Sequence, residues 1–222
     1  MSVRRWFLVI AAPLGAVIAM TGCGASQYRY VGSVPDKVYF QVPSAWQQLS
    51  SGDVSSFQHS VLAQSVAGPQ GGQVVWSAAF DAAAHPSTAH LFALTGEPVV
   101  YSSVQVMSPQ LRSALSFDLM RDLLVPVTPG RRQQLTAAGQ KLQPLHLIAP
   151  SVTYSLPGGI RGIGELFAIK LGTGTEDYSQ TVLTDNVTSK LYLLFVQCDQ
   201  ACFNANISQI GAVVRSFTVK GL

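Results

Sequence analysis

Residues 176–198 are the part of the sequence that most restricts the fold. Two strand-like runs flank the segment TDNVTS, in which Asp185 and Asn186 favour a turn. The segment therefore predicts a β-hairpin. Other runs rich in valine and aromatic residues, bounded by turn residues, are also predicted to be strands. They lie at 38–42, at 73–83, at 98–107 and within 145–171, where one or two strands are interrupted at 157–159.

Helices are predicted at intervals between these strands. Ser108 can cap the free amides of a helix, and Pro109 suits the first turn because no N–H is needed there. One amphipathic helix is expected from this point to Pro126. Its apolar stripe comprises Leu111, Leu115, Phe117, Leu119, Met120 and Leu123. The closing segment also has apolar residues at helical spacing, namely Phe203, Ile207, Ile210 and Val214. The predicted fold class is α+β, with one antiparallel sheet covered by helices in an α/β/α sandwich.

The N-terminus has the features of an export signal. Arg4 and Arg5 precede an apolar stretch of about 15 residues, which is shorter than the ~20 residues of a membrane-spanning helix. The stretch ends in AMTGC, which resembles the lipobox of bacterial lipoproteins. In a lipobox the cysteine is diacylated and becomes the new N-terminus after cleavage. The resemblance implies that Cys23 is the lipidated residue. The alternative interpretations are an ordinary secretory cleavage site and an uncleaved anchor.

The lipobox resemblance also divides the chain. It implies a lipoprotein signal peptide at 1–22, a lipidated N-terminus and tether at 23–36, and a single α+β domain at 37–222. Two or three acyl chains hold a protein stably to a bilayer. The expected location is therefore the extracytoplasmic face of the cell membrane, with lipid as the anchor.

Charge excludes one class of partner. The formal net charge is +3, and removal of Arg4 and Arg5 with the signal peptide leaves +1. The longest basic run that remains is the pair Arg131 and Arg132, so the sequence has no electrostatic basis for nucleic-acid binding. The expected partners are the membrane, through the lipid anchor, and an envelope protein or lipid.

The order of elements resembles a known family. YFQVPSAW as an opening strand, PGGIRG as a turn into long strands, LYLLFVQC as a hairpin strand and IGAVVRSFTV as a closing helix are similar to the PsbP/Mog1-like lipoproteins of the bacterial cell envelope. The resemblance covers most of the domain. It implies an α/β/α sandwich with a binding, assembly or accessory role. It brings no catalytic residues to this chain.

No catalytic, cofactor or metal site is predicted from the motifs. The sequence has no G-x-S-x-G elbow and no S-x-x-K. None of the four histidines has the spacing of a zinc site; they are His59, His85, His90 and His146. The glycine-rich PGGIRGIG precedes a strand, whereas a dinucleotide-binding loop precedes a helix, so a turn and a bulge explain it better.

Cys198 and Cys202 are the remaining chemical feature. Their C-x-x-x-C spacing is one residue longer than the redox motif C-x-x-C, and two ligands are too few for structural zinc. Disulfides persist outside the cytoplasm, and Cys23 is no longer a free thiol once it is acylated. We therefore predict a Cys198–Cys202 disulfide that fixes where the C-terminal helix leaves the sheet, with free thiols as the alternative. The function expected from the sequence is that of a non-enzymatic binding or accessory lipoprotein. The alternative is an envelope hydrolase with an unrecognised site.

Overall fold

The computed structural model describes residues 26–61 and 72–220. The predicted signal peptide, 1–22, and Cys23 lie outside these residues. The strands are β1 (Tyr28–Ser33), β2 (Val38–Pro43), β3 (Gln47–Gln48), β4 (Gly72–Asp81), β5 (Val99–Met107), β6 (Leu145–Leu156), β7 (Ile160–Leu171), β8 (Gly174–Thr184), β9 (Lys190–Asp199) and β10 (Thr218–Val219). The helices are α1 (Ser51–Val61), α2 (Pro109–Ala114), α3 (Phe117–Arg121), α4 (Pro129–Ala137), α5 (Gln200–Ala205) and α6 (Ile207–Ser216). In this described part of the chain, no helix is long and apolar enough to cross a membrane.

Seven strands form one antiparallel sheet in the order β3-β4-β5-β9-β8-β7-β6. The predicted hairpin is confirmed at its centre, where β8 pairs with β9 and Leu183 lies opposite Tyr192. The predicted break at 157–159 is the turn between β6 and β7. Gly158 and Gly159 have φ values of 76° and 75° there, a left-handed conformation that favours glycine. A smaller sheet has the order β1-β2-β10.

The first face of the large sheet packs against α1, α2, α3 and the loop at 82–98. Alternate residues of the strands point to this face, as the period of a strand requires. The buried core here includes Tyr101, Phe167, Tyr178, Leu193 and Phe195 from the sheet, and Val54, Phe57, Leu111 and Met120 from the helices. Burial of each large apolar side chain contributes about 1.5–3 kcal/mol.

The second face packs against α5, α6 and the small sheet. Val38, Phe40 and Val42 are buried here, which confirms the predicted apolar face of β2. The amide of Gln41 donates to Ser216 Oγ at 2.8 Å and joins β2 to the end of α6. The fold class is thus α+β, with a large antiparallel sheet between two outer layers. The small sheet belongs to the second outer layer.

The prediction of one continuous helix from Ser108 to Pro126 is wrong, because the segment contains two short helices, α2 and α3. Ser108 caps α2 as predicted, since its side chain accepts from the amide of Leu111 at 3.2 Å. Ser116, however, is extended, with φ −139° and ψ 166°. Its hydroxyl accepts from the amide of Leu119 at 3.1 Å and begins a second helix, α3. The apolar spacing continues through this break, so the stripe alone did not reveal it.

The predicted tether is also partly wrong. Part of the segment 23–36 is the strand β1, whose residues pair with β2 from Tyr28 opposite Pro43 to Ser33 opposite Val38. The first strand therefore begins about nine residues before the predicted domain boundary at 37. The segment YRYVGS contains only one aliphatic residue, Val31, so it lacks the valine-rich pattern by which the other strands were predicted.

Candidate functional site

One end of the large sheet carries a pocket lined by lysines. This end, called the lysine end below, is formed by β10 and by three connections, at 34–37, 157–159 and 185–189. Lys37, Lys190 and Lys220 line a pocket of about 150 Å³ there. The sequence contains five lysines, so most of them are concentrated around this cavity.

The lysine pocket is only partly neutralised from within. Lys190 Nζ lies 2.8 Å from Asp36 Oδ1, and Ser33 Oγ donates to the other oxygen of Asp36 at 2.6 Å. Burial acts to raise the pKa of Asp36, but the bonds from Lys190 and Ser33 outweigh it and hold that pKa below its usual value. Lys220 Nζ lies 5.0 Å from the ring centroid of Tyr39, a cation–π distance.

A groove of about 240 Å³ lies between α6 and the second face of the sheet. Five of its seven lining residues are apolar or aromatic: Tyr154, Leu156, Leu183, Val214 and Phe217. The groove is called the apolar groove below. Gly162 and Gly164 of β7 lie beside it, and a Cβ at Gly164 would be 2.8 Å from Tyr154 Oη. Since these glycines have no side chains, Tyr154 and Leu183 can lie close over β7.

Arg215 places a guanidinium group at the apolar groove. The side chain folds back along α6 over Gly211, where an added Cβ would be 2.8 Å from Arg215 Nη1. Arg215 is exposed, and it makes no hydrogen bond or ion pair with any residue in 26–61 or 72–220. A guanidinium presents five donors, which suit a carboxylate or a phosphate.

The apolar groove and the lysine pocket adjoin each other. Three segments contribute one residue to the groove and the residue two positions later to the pocket. The pairs are Leu156 with Gly158, Leu183 with Asp185, and Phe217 with Val219. Residues two apart in extended chain are separated by only ~7 Å. The two cavities are therefore neighbouring parts of one candidate site.

Comparison with solved structures identifies the fold. The cyanobacterial PsbP protein CyanoP of Synechocystis matches with a TM-score of 0.52 and 13% identity, over 93% of this chain and 100% of that chain. The chain has the PsbP/Mog1-like fold. Two more distant matches are the Ran-binding protein Mog1p of Saccharomyces cerevisiae and LpqN, which is involved in cell envelope biogenesis of Mycobacterium tuberculosis. Mog1p has a TM-score of 0.44 and 8% identity, over 87% of this chain and 96% of its own. LpqN has a TM-score of 0.47 and 9% identity, over 88% of this chain and 92% of its own. No family model matches the chain, and no curated protein matches it.

The opposite end of this PsbP/Mog1-like domain is called the loop end, because it carries the loop at 82–98. Asp81 is fully buried there and accepts three hydrogen bonds. The donors are the amides of Ala83 at 2.8 Å and Ser87 at 2.9 Å, and His90 Nδ1 at 2.7 Å. His90, a candidate ligand by residue type, thus fastens the loop to the sheet.

Gln197 fastens the middle of the same loop. Its Oε1 accepts from the amide of Phe92 at 2.8 Å. Its Nε2 donates to the carbonyls of His90 at 2.9 Å and Ala93 at 3.1 Å, and to Glu176 Oε1 at 3.1 Å. Gln197 is fully buried, so both ends of its amide depend on these partners.

Glu176 is the most perturbed carboxyl at the loop end. Burial raises its pKa to about 8, and the nearby Asp199 and Asp177 act in the same direction. Hydrogen bonds from the amide of Thr95, at 3.2 Å, and from Gln197 oppose this rise only in part. The carboxyl is therefore mainly protonated at neutral pH.

A second buried polar cluster joins α3 to the first face of the sheet. Arg121 Nε donates to Glu165 Oε1 at 2.6 Å, and Ser151 Oγ donates to the same oxygen. Gln180, opposite Glu165 in the strand pairing, donates to the carbonyl of Arg121 at 2.9 Å. This cluster fixes α3 on the sheet.

Cys198 and Cys202 are joined in a disulfide, as the sequence predicts. Their Cα atoms are 5.9 Å apart, within the range that a disulfide requires. The bond connects the end of β9 to α5. Asp199 reinforces it by accepting from the amide of Cys202 at 2.7 Å and capping α5.

Sequence reasoning missed the candidate site itself. Across residues 26–61 and 72–220, no group of three or more His, Cys, Asp or Glu could hold a metal ion. The site is built instead from Arg215, three lysines and apolar residues on separate elements. One signal was present in the sequence: Gly162 and Gly164 alternate along β7, which places two bare positions on one face of a strand.

Proposed function

We propose that this chain is an extracytoplasmic lipoprotein, anchored through Cys23, whose domain binds an envelope ligand non-covalently at the lysine end. One observation carries the binding role: the apolar groove adjoins a pocket lined by three of the five lysines. Ligand sites commonly combine an apolar concave surface with a few polar groups that fix orientation. The lipobox-like AMTGC supports the anchor.

The short distance in sequence between the anchor and the domain supports this arrangement. Five peptide units separate Cys23 from Tyr28, the first residue of β1. Even fully extended, such a segment spans only ~18 Å. A domain anchored through Cys23 is thus held close to the membrane surface, with the Tyr28 end nearest to it.

The anchor is tested by substitution of the acylated residue. Cys23→Ala is expected to block lipidation and signal removal at this position, so that the unlabelled precursor accumulates with its apolar stretch still attached. Ser26→Ala, three residues away in sequence, is the matched control and should behave like the wild type. Fractionation with metabolic labelling by a fatty-acid analogue provides the measurement. Fatty-acid labelling of the Cys23→Ala protein at the wild-type level would contradict the anchor.

The binding site is tested by photocrosslinking in intact cells. Leu156→p-benzoylphenylalanine places the reactive group at the apolar groove, whereas Ser155→p-benzoylphenylalanine places it on the opposite face of the same strand. A mass-shifted adduct is expected from position 156 and absent from position 155. An equal adduct pattern at both positions, or none at position 156, would contradict a ligand site in the groove.

A further inference from the structure

We infer that the ligand of the lysine end is a single-chain anionic amphiphile that reaches the site from the aqueous side of the envelope. This inference rests on the proposed function and specifies its ligand. The apolar chain lies in the apolar groove, and the anionic group is held by Arg215.

We infer an anionic group on the ligand because the guanidinium of Arg215 has no partner within the described residues. Its guanidinium lines an apolar groove and bonds no residue of the described part of the chain. Two half-buried arginines are used internally, since Arg121 pairs with Glu165 and Arg132 donates to the carbonyl of Pro126, whereas the exposed Arg215 lines the groove. An unpartnered guanidinium beside apolar side chains is suited to a carboxylate or phosphate on an otherwise apolar molecule.

The net positive charge around the site also favours an anionic ligand. The three lysines of the pocket are accompanied by Asp36 and Asp185, which leaves one net positive charge in its lining, and Arg215 adds another next to it. Asp185 is further occupied by its hydrogen bonds from Ser189 and from the amide of Lys190. A positive cleft raises the local concentration of anions and their rate of association.

The size of the groove limits the apolar part to one chain. Its volume of about 240 Å³ lies below the ~300–1,000 Å³ of sites that enclose drug-sized ligands. Val214 and Phe217 close one side, and Tyr154 and Leu156 close the other.

The position of the site opposite the anchor determines the direction of entry. β1 starts at Tyr28, next to the anchor, and ends at Ser33, next to the connection that carries Lys37. The five residue steps from Tyr28 to Ser33 separate the two ends by ~17 Å. With the Tyr28 end towards the membrane, the lysine end faces away from it. A ligand therefore enters from the aqueous envelope and does not slide in from the bilayer.

The test uses the full chain in lipid nanodiscs with two probes of equal chain length, octyl phosphate and octyl glucoside. Ligand binding to the folded state raises the unfolding midpoint with concentration, so titration yields an apparent Kd. Octyl phosphate is expected to bind the wild type at least tenfold more tightly than octyl glucoside. Empty nanodiscs correct for partition of the probes into lipid.

Variants of the cationic groups localise the binding. Arg215→Gln is expected to weaken octyl phosphate binding about tenfold, and Arg215→Lys should retain most of it because the charge remains. Lys220→Gln is expected to weaken it about threefold, with a loss that shrinks as salt is added. Lys141→Gln, an exposed lysine far from the pocket, is the matched control and should leave the Kd unchanged.

The possible outcomes separate this inference from the proposed function. Equal affinity for both probes, or no effect of Arg215→Gln, overturns the anionic ligand. Absence of binding by either probe overturns the amphiphile, while an adduct confined to position 156 in cells would still support a groove ligand of another class, such as an envelope peptide. Absence of both the binding and the adduct overturns the inference and the proposed site together.

Discussion

The two ends of the large sheet use their polar side chains differently. At the loop end, Asp81 and Gln197 are fully buried, and their polar atoms bond the backbone and side chains of the loop at 82–98. At the lysine end, Arg215 bonds no described residue, and three lysines line a pocket in which only Lys190 forms an ion pair with a described residue, Asp36. At the loop end the hydrogen bonds hold the loop in place, whereas at the lysine end donors such as Arg215 remain available to a ligand. We therefore expect substitutions to affect stability at the loop end and binding at the lysine end.

The strongest test of this difference is Gln197→Leu. The substitution removes the partners of the Phe92 amide and of two loop carbonyls while leaving those groups at a buried position. The free energy of unfolding is expected to fall by ~3 kcal/mol, since each buried unsatisfied group costs ~1–3 kcal/mol. Urea unfolding measures the loss, and limited proteolysis should locate new cleavage in the loop at 82–98. Gln140→Leu, at an exposed position, is the control and should change stability by less than ~0.5 kcal/mol.

A smaller loss is expected from removal of the disulfide. The double substitution Cys198→Ala and Cys202→Ala opens a loop with a sequence separation of only 4. On the chain-entropy model this costs ~2 kcal/mol. Reduction of the wild type should lower its stability by a similar amount and leave the double variant unaffected. Octyl phosphate affinity should be unchanged, because the bond lies at the loop end. A loss of affinity equal to that of Arg215→Gln would show that the two ends are coupled.

Glu176 is expected to make the loop end sensitive to pH. Its pKa rises from the unfolded value of 4.5 to about 8 in the folded state, so the folded protein binds more protons between these values. The free energy of unfolding should therefore decrease by at least ~1 kcal/mol as pH rises from about 4.5 to about 8, because the folded state loses its excess bound proton. Glu176→Gln cannot ionise, and its stability curve should be flatter over that interval. Parallel curves for the wild type and the variant would show that Glu176 is not the titrating group.

The sequence predicted the elements whose pattern is local. The hairpin of β8 and β9, the apolar face of β2 and the turn at 157–159 follow from turn residues and strand alternation, and all were found. The disulfide followed from the spacing of the two cysteines and the expected compartment. The break at Ser116 was missed because a capping serine within a continuing apolar stripe gives no change of period.

The candidate site was not predictable in this way. Arg215 and Leu156 are 59 positions apart in sequence, and only the packing of α6 on the sheet brings them to one groove. Lys37 precedes β2, Lys190 begins β9 and Lys220 follows β10, and each alone looks like a solvated surface residue. Local pattern contains no information on such long-range neighbours. β1 was missed for a related reason, since its pairing with β2 and not its own sequence pattern makes it a strand.

The smallest effect on stability is expected from Asp36→Asn at the lysine end. The ion pair of Asp36 with Lys190 is partly exposed, so its loss should cost only ~0.5–1 kcal/mol. Because the folded-state pKa of Asp36 is lowered, its contribution is present at neutral pH and is lost as pH falls through that lowered pKa. The difference between Asp36→Asn and the wild type in urea unfolding should therefore vanish in acid. Asp118→Asn removes a more exposed ion pair, with Arg121, and is the control: its loss of stability should be no larger than that of Asp36→Asn.

Octyl phosphate should bind Asp36→Asn more tightly than the wild type, because Lys190 loses its competing carboxylate. A destabilisation as large as that of Gln197→Leu would mean that the lysine end, like the loop end, is built for stability.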